Sequence, residues 1–191
     1  MWRQVRQTGA RSGRRPVLET GLAYFTGWTT GVLGQSHLLT ALVALGSGAW
    51  VLWARKGTRL HARSGYVYVV SMVLLNGTAL AKYDLTGGVN MFHAAAIGSL
   101  LTLAGAFAAA LVFRRTRDRR AIAAHGHLMI WSYFGLFAAL VAEVVTRALP
   151  FMLHGEGGWT RFTLALAAFM LITGAITWRY ARFEVRRTMG L

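Results

Sequence analysis

The chain has 191 residues, enough for one domain or two small ones. Hydrophobic residues make up 55% and charged residues only 14%. A soluble domain carries about 25% charged residues, so the expected solvent here is lipid. There are 21 Lys and Arg against 6 Asp and Glu, a net charge of +15. These basic residues avoid the apolar stretches, which argues against a nucleic-acid-binding face. With no cysteine, disulfides, thiolate zinc sites, cysteine-ligated iron–sulfur clusters and covalent c-type haem are excluded.

Residues 1–34 are a basic N-terminal segment carrying Arg3, Arg6, Arg11, Arg14 and Arg15. Its apolar stretch is poor and glycine-rich, so it reads as interfacial, with Tyr24, Phe25 and Trp28 toward the lipid. Five segments then reach or approach the roughly 20 apolar residues that a membrane-crossing helix needs. They are Gln35–Ala54, Ser64–Ala81, Val89–Phe113, Ala121–Arg147 and Phe162–Trp178. The first three hold no Asp, Glu, Lys or Arg, and Glu143 interrupts the fourth near its end. The fifth ends in Trp178 with Tyr180 just beyond, a pair suited to the interface. Short loops make successive helices antiparallel. The expected fold is an all-α integral membrane bundle. Residues 35–147 form a four-helix antiparallel core, and residues 148–191 supply a fifth transmembrane helix and a basic tail.

Lys and Arg in short loops mark the cytoplasmic side. Arg55, Lys56, Arg59 and Arg63 lie between the first and second segments, and Arg114, Arg115, Arg117, Arg119 and Arg120 between the third and fourth. Arg179, Arg182, Arg186 and Arg187 follow the fifth. The other loops are nearly free of basic residues. This alternation implies a multi-pass protein of a bacterial-type inner membrane with a cytoplasmic C-terminus. The arginine clusters would meet anionic lipid at that face.

The histidines alternate between the two ends. His37 opens the first segment at the outer side, and His61 precedes the second at the inner side. His93 opens the third outside, and His125 with His127 opens the fourth inside. In an up–down bundle the diagonal helices pair His37 with His93 and His61 with His125. The two levels lie roughly 20–25 Å apart at 1.5 Å per residue. Two imidazoles per level fall short of the three or four ligands that zinc takes, whereas haem iron needs only two. One b-type haem per level, two in all, would carry electrons across the bilayer. His127 and His154 read as interfacial. Arg59 and Arg63 flank His61 and suit haem propionates. Near the outer level, Glu143 and Arg147 form an i, i+4 pair suited to each other or to a quinol head group. Asn76 needs a partner on a neighbouring helix.

Two resemblances rest on these residues. The stretch His61-Ala-Arg-Ser-Gly65-Tyr-Val-Tyr-Val resembles the His-Arg-x-x-Gly-Arg-x-Tyr-Val motif of a bacterial membrane family, domain of unknown function 2306. His125-Gly-His-Leu-Met-Ile-Trp-Ser-Tyr133 resembles its later motif, His-Arg-Arg-Trp-Met-Ile-Arg-Ser-Tyr. The alignment makes His125 the family histidine. Ala62, Tyr66, Gly126 and Trp131 depart from it where arginine is usual. More loosely, the order His37, His61, His93, His125 is similar to that of cytochrome b561-type diheme electron carriers, whose axial histidines lie on four consecutive helices. That resemblance implies transmembrane electron transfer between a quinol-like reductant and an acceptor, a transmembrane oxidoreductase. Two other readings use the same residues: a non-catalytic membrane subunit or scaffold with interfacial histidines, and a metal or small-molecule carrier using Glu143 with the outer histidines.

Overall fold

The computed structural model describes residues 31–82, 88–148 and 157–189. Of the interfacial segment expected over residues 1–34, residues 1–30 lie outside the described residues, as does His154, whereas residues 31–34 form the first turn of the first helix. The described residues form five helices in order: α1 (Gly31–Trp53), α2 (Arg59–Leu80), α3 (Met91–Thr116), α4 (Arg119–Ala148) and α5 (Gly158–Met189). Among the described residues there is no strand. Four helices among the described residues are long and apolar enough to cross a membrane: α1, α3, the Arg119–Thr146 part of α4 and the Thr160–Phe183 part of α5.

Helix α2 has the length of a crossing but a more polar composition, and its packing explains why. The residues it buries are Tyr68, Ser71, Met72, Leu75 and Asn76, so much of its polarity points into the bundle. Apolar residues such as Val70, Val73 and Leu74 stay on its outer face. The outer surface of the whole bundle is likewise apolar: Trp53 is 90% exposed and Leu171 75%. Such a surface is stable against lipid and not against water.

Side-chain contacts fix the topology. His37 on α1 meets Thr78 near the end of α2, and Asn76 meets Ser99 early in α3. His125 on α4 reaches Ala106 of α3, and His127 faces Trp178 of α5. Each neighbouring pair is therefore antiparallel. Tyr133 of α4 closes the ring by donating to the Leu45 carbonyl of α1 at 3.3 Å. This packing is consistent with the expected four-helix core, and α5 packs against α4. The α1–α2 link, the α3–α4 link and the C-terminal part of α5 then share one end, which carries the arginine clusters. We refer to it as the basic end.

Local chemistry sets the boundaries. Thr58 caps α2 by accepting the His61 backbone N–H at 3.1 Å. Asn90 and His93 form a reciprocal capping box at the start of α3. Asp118 receives the Arg120 N–H at 2.8 Å and starts α4. Helix α5 extends well past the expected end at Trp178. No Gly or Pro occurs before Gly190, so the chain leaves the apolar layer without a signal to stop the helix.

At the C-cap of α3, Arg117 adopts a left-handed conformation with φ 58°. That conformation costs a residue with a Cβ about 1–2 kcal/mol. Arg117→Gly is expected to stabilise the fold by about 1 kcal/mol, measured by reversible unfolding in mixed micelles.

Candidate functional site

Helices α2 and α4 lie diagonally across the bundle and run parallel, so equal sequence offsets on the two reach equal depths. His61 and His125 occupy the first level in from the basic end. Seven residues on along each helix, Tyr68 and Ser132 occupy the next and share a buried 2.8 Å hydrogen bond. The two motif-bearing stretches thus meet twice, once through imidazoles and once through hydroxyls.

His61 sits ahead of the apolar part of α2. Burial holds its imidazole below the usual histidine range. Lys56 and His125 act in the same direction, and a hydrogen bond with the Val51 backbone opposes them. Its Nδ1 is buried with no hydrogen-bond partner among the described residues. His125 has its Nδ1 2.9 Å from the Ala106 carbonyl. A carbonyl only accepts, so the proton is on Nδ1 and the lone pair on Nε2. His127 is anchored in the same way to Ala123 at 2.9 Å, with its ring 6.1 Å from that of Trp178. It faces α5 and not the bundle interior.

At the opposite end His37 Nδ1 lies 2.9 Å from the Thr78 hydroxyl. That hydroxyl donates its one proton to the Leu75 carbonyl at 2.8 Å, so His37 is the donor and its Nε2 also carries the lone pair. His93 is buried, and its Nδ1 accepts the Asn90 backbone N–H at 3.3 Å in the capping box, which leaves the ring proton on Nε2, unlike His37 and His125. Anchoring one ring nitrogen to an acceptor is how proteins orient an imidazole whose other nitrogen binds a metal. It serves equally well to tie helix ends together.

The remaining candidates are placed as follows. Arg59 and Arg63 are exposed at the basic end. Glu143 is half-buried at the other end, and the side chain of its expected partner Arg147 lies outside the described residues. Asn76 has the cross-helix partner that lipid demands: its Nδ2 donates to Ser99 Oγ at 3.1 Å and to the Met72 carbonyl at 2.7 Å. A double-mutant cycle between Asn76→Ala and Ser99→Ala is expected to give a coupling of about 0.6 kcal/mol, and no more than about 1.7. Additivity of the two would show that the bond contributes nothing.

The space between the two inner levels tests the fit of a haem. A cleft with only about 10 Å³ of free space lies there, lined by Gly48, Val51, Leu52, Tyr68, Met129 and Tyr133. That is far below the about 300–1,000 Å³ of ordinary ligand pockets, so a macrocycle does not fit between the helices as packed and would enter only if the helix ends separate. His61 and His125 offer two imidazoles, the number that a haem iron takes. Among the described residues, no group of three or more His, Asp or Glu is placed to hold a metal ion.

The family described as "Predicted membrane protein (DUF2306)" matches residues 34–179. No curated protein and no solved structure matches the chain.

Proposed function

The chain belongs to that membrane-protein family, well over half of its length being matched, and from that premise we propose that it is a b-type haem protein carrying electrons across the bilayer. The observation that carries this reading is the level shared by His61 and His125 on parallel diagonal helices, with the His125 lone pair directed away from its anchoring carbonyl. Haem iron would supply one-electron chemistry. His61 and His125 would be its axial ligands, and Arg59 and Arg63 would meet its propionates. His37 and His93 would be the ligand pair for a second haem at the opposite end. Glu143, Arg147 and Asn76 lie at that end for a quinol-like reductant.

The basic end faces the cytoplasm by the rule that short arginine-rich loops stay inside. A cysteine placed at Arg117 should label from the cytoplasmic side and one at Val89 from the other. Labelling from one side only would contradict the crossing of α3.

The small cleft favours a second reading. In a non-catalytic scaffold, each anchored imidazole would simply fasten a helix end to its neighbour. The protein purified in mild detergent from haem-replete cells separates the two. Haem carriage predicts a pyridine haemochrome spectrum of haem b with one or two haems per chain. A colourless protein of native helicity would support the scaffold.

A further inference from the structure

Helix α5 passes Trp178 and continues to Met189, about 16 Å further at 1.5 Å per residue. Two contacts set its register on α4: His127 faces Trp178, and Trp131 lies against Gly174. Continued along the two antiparallel helices, that register brings Arg119 level with Arg186. Arg120 stands seven residues before His127, two turns on along the same face of α4. Ala121 and Ala181 are buried, so the two helices stay close at this end.

Five arginines gather there: Arg119 and Arg120 of α4, and Arg179, Arg182 and Arg186 of α5, all exposed. The last three recur at spacings of three and four and share one face of the helix. Near them along α4 and α5 the chain supplies two carboxylates, Asp118 and Glu184. None of the five arginines has a carboxylate partner among the described residues. What balances their charge is set by what lies beside them. The Arg182 guanidinium sits over the Trp178 ring, 5.9 Å from its centre. Trp belongs at headgroup depth, so Arg182 is held at the depth of lipid phosphates. Leu171, Trp178 and Arg182 stand seven and four residues apart on one face, and all three are exposed. That stripe runs from aliphatic through aromatic to cationic, the sequence in which a phospholipid presents its chains and its phosphate. A soluble acidic partner would meet the charges only. Arginine holds phosphate in a bidentate fork, and five arginines exceed what one singly charged headgroup neutralises.

We propose that the α4–α5 junction at the basic end binds a phospholipid with two phosphate groups, of the cardiolipin type. Its phosphates meet Arg120, Arg182 and the arginines beside them, and its acyl chains run down the Trp178 and Leu171 face of α5. The lipid fastens the far end of α5 to α4, whether or not the protein binds haem.

The test is titration of fluorescent cardiolipin into the purified full chain in mixed micelles, with phosphatidylglycerol, phosphatidylcholine and soluble polyglutamate as competitors. Binding should saturate, and cardiolipin should be preferred about tenfold over phosphatidylglycerol at equal phosphorus, because its second phosphate binds intramolecularly. Arg120→Gln and Arg182→Gln should each weaken binding about fivefold. The double variant Arg114→Gln with Arg115→Gln, which removes two charges from the end of α3, should leave it unchanged. Circular dichroism and a monodisperse elution profile confirm that each variant is folded. Binding that does not saturate, equal affinity for phosphatidylglycerol, or equal weakening by the α3 variant would overturn the proposal. Displacement by polyglutamate at equal charge would also overturn it, in favour of an acidic protein partner.

Discussion

Tyr68→Ala should cost the fold about 3–5 kcal/mol, the range for emptying an aromatic site in a packed interior. Tyr68 is 1% exposed, and with Met72 it is the largest fully buried side chain among the described residues. Its ring lies 6.3 Å from that of Tyr133, and its hydroxyl binds Ser132. In lipid, helices are held together by close packing and polar contacts and not by exclusion of water, so the lost contacts have no replacement. Tyr68→Phe removes only the hydrogen bond and should cost about 1 kcal/mol. Reversible unfolding in mixed micelles gives both values. Equal costs for the two variants would place the stabilising contribution in the hydroxyl and not in the ring.

Gly48→Ala should destabilise by about 1–3 kcal/mol, as overpacking does. A Cβ there would come 2.5 Å from Tyr133 Cδ2 and 2.8 Å from Tyr68 Cε2, closer than carbon atoms approach. The clash falls on two rings that brace each other, so neither can swing away freely. Gly46, two residues earlier on the same helix, meets nothing within 4 Å. Gly46→Ala should therefore be neutral, or stabilising by about 0.5–1 kcal/mol through helix propensity. Similar costs at both positions would mean that α1 tolerates a shift and that the Tyr133 contact is not tight.

Hydropathy made most of the helices legible, because a chain in lipid must write its crossings as long apolar runs. It also located the ends of α1 and α4 to within a few residues. It misplaced the end of α5: at Arg179 the apolar signal stops, but nothing in the backbone chemistry stops the helix before Gly190. Helix α2 is the converse case. Its inward Ser71 and Asn76 lower its hydropathy because they bind within the bundle.

Of the site, the shared level of His61 and His125 was legible from alternation and antiparallel topology. The Tyr68–Ser132 pair has a fainter signal, its separation of 64 residues, which is also that of the two histidines and so marks a second level. The tyrosine contact with Gly48 had no sequence signal, since a glycine under a ring reads the same as one facing lipid.

The haem reading stands or falls on whether His61 and His125 behave as one site. The decisive measurement is the haem content of His61→Ala and His125→Ala, each purified beside the wild type, with His127→Ala as control. If the two imidazoles share an iron, each single variant loses the same haem, with the same spectral band and midpoint potential, and His127→Ala keeps it. Loss in one variant but not the other, or full haem content in both, would contradict a shared iron and leave the pair as a structural tie between α2 and α4.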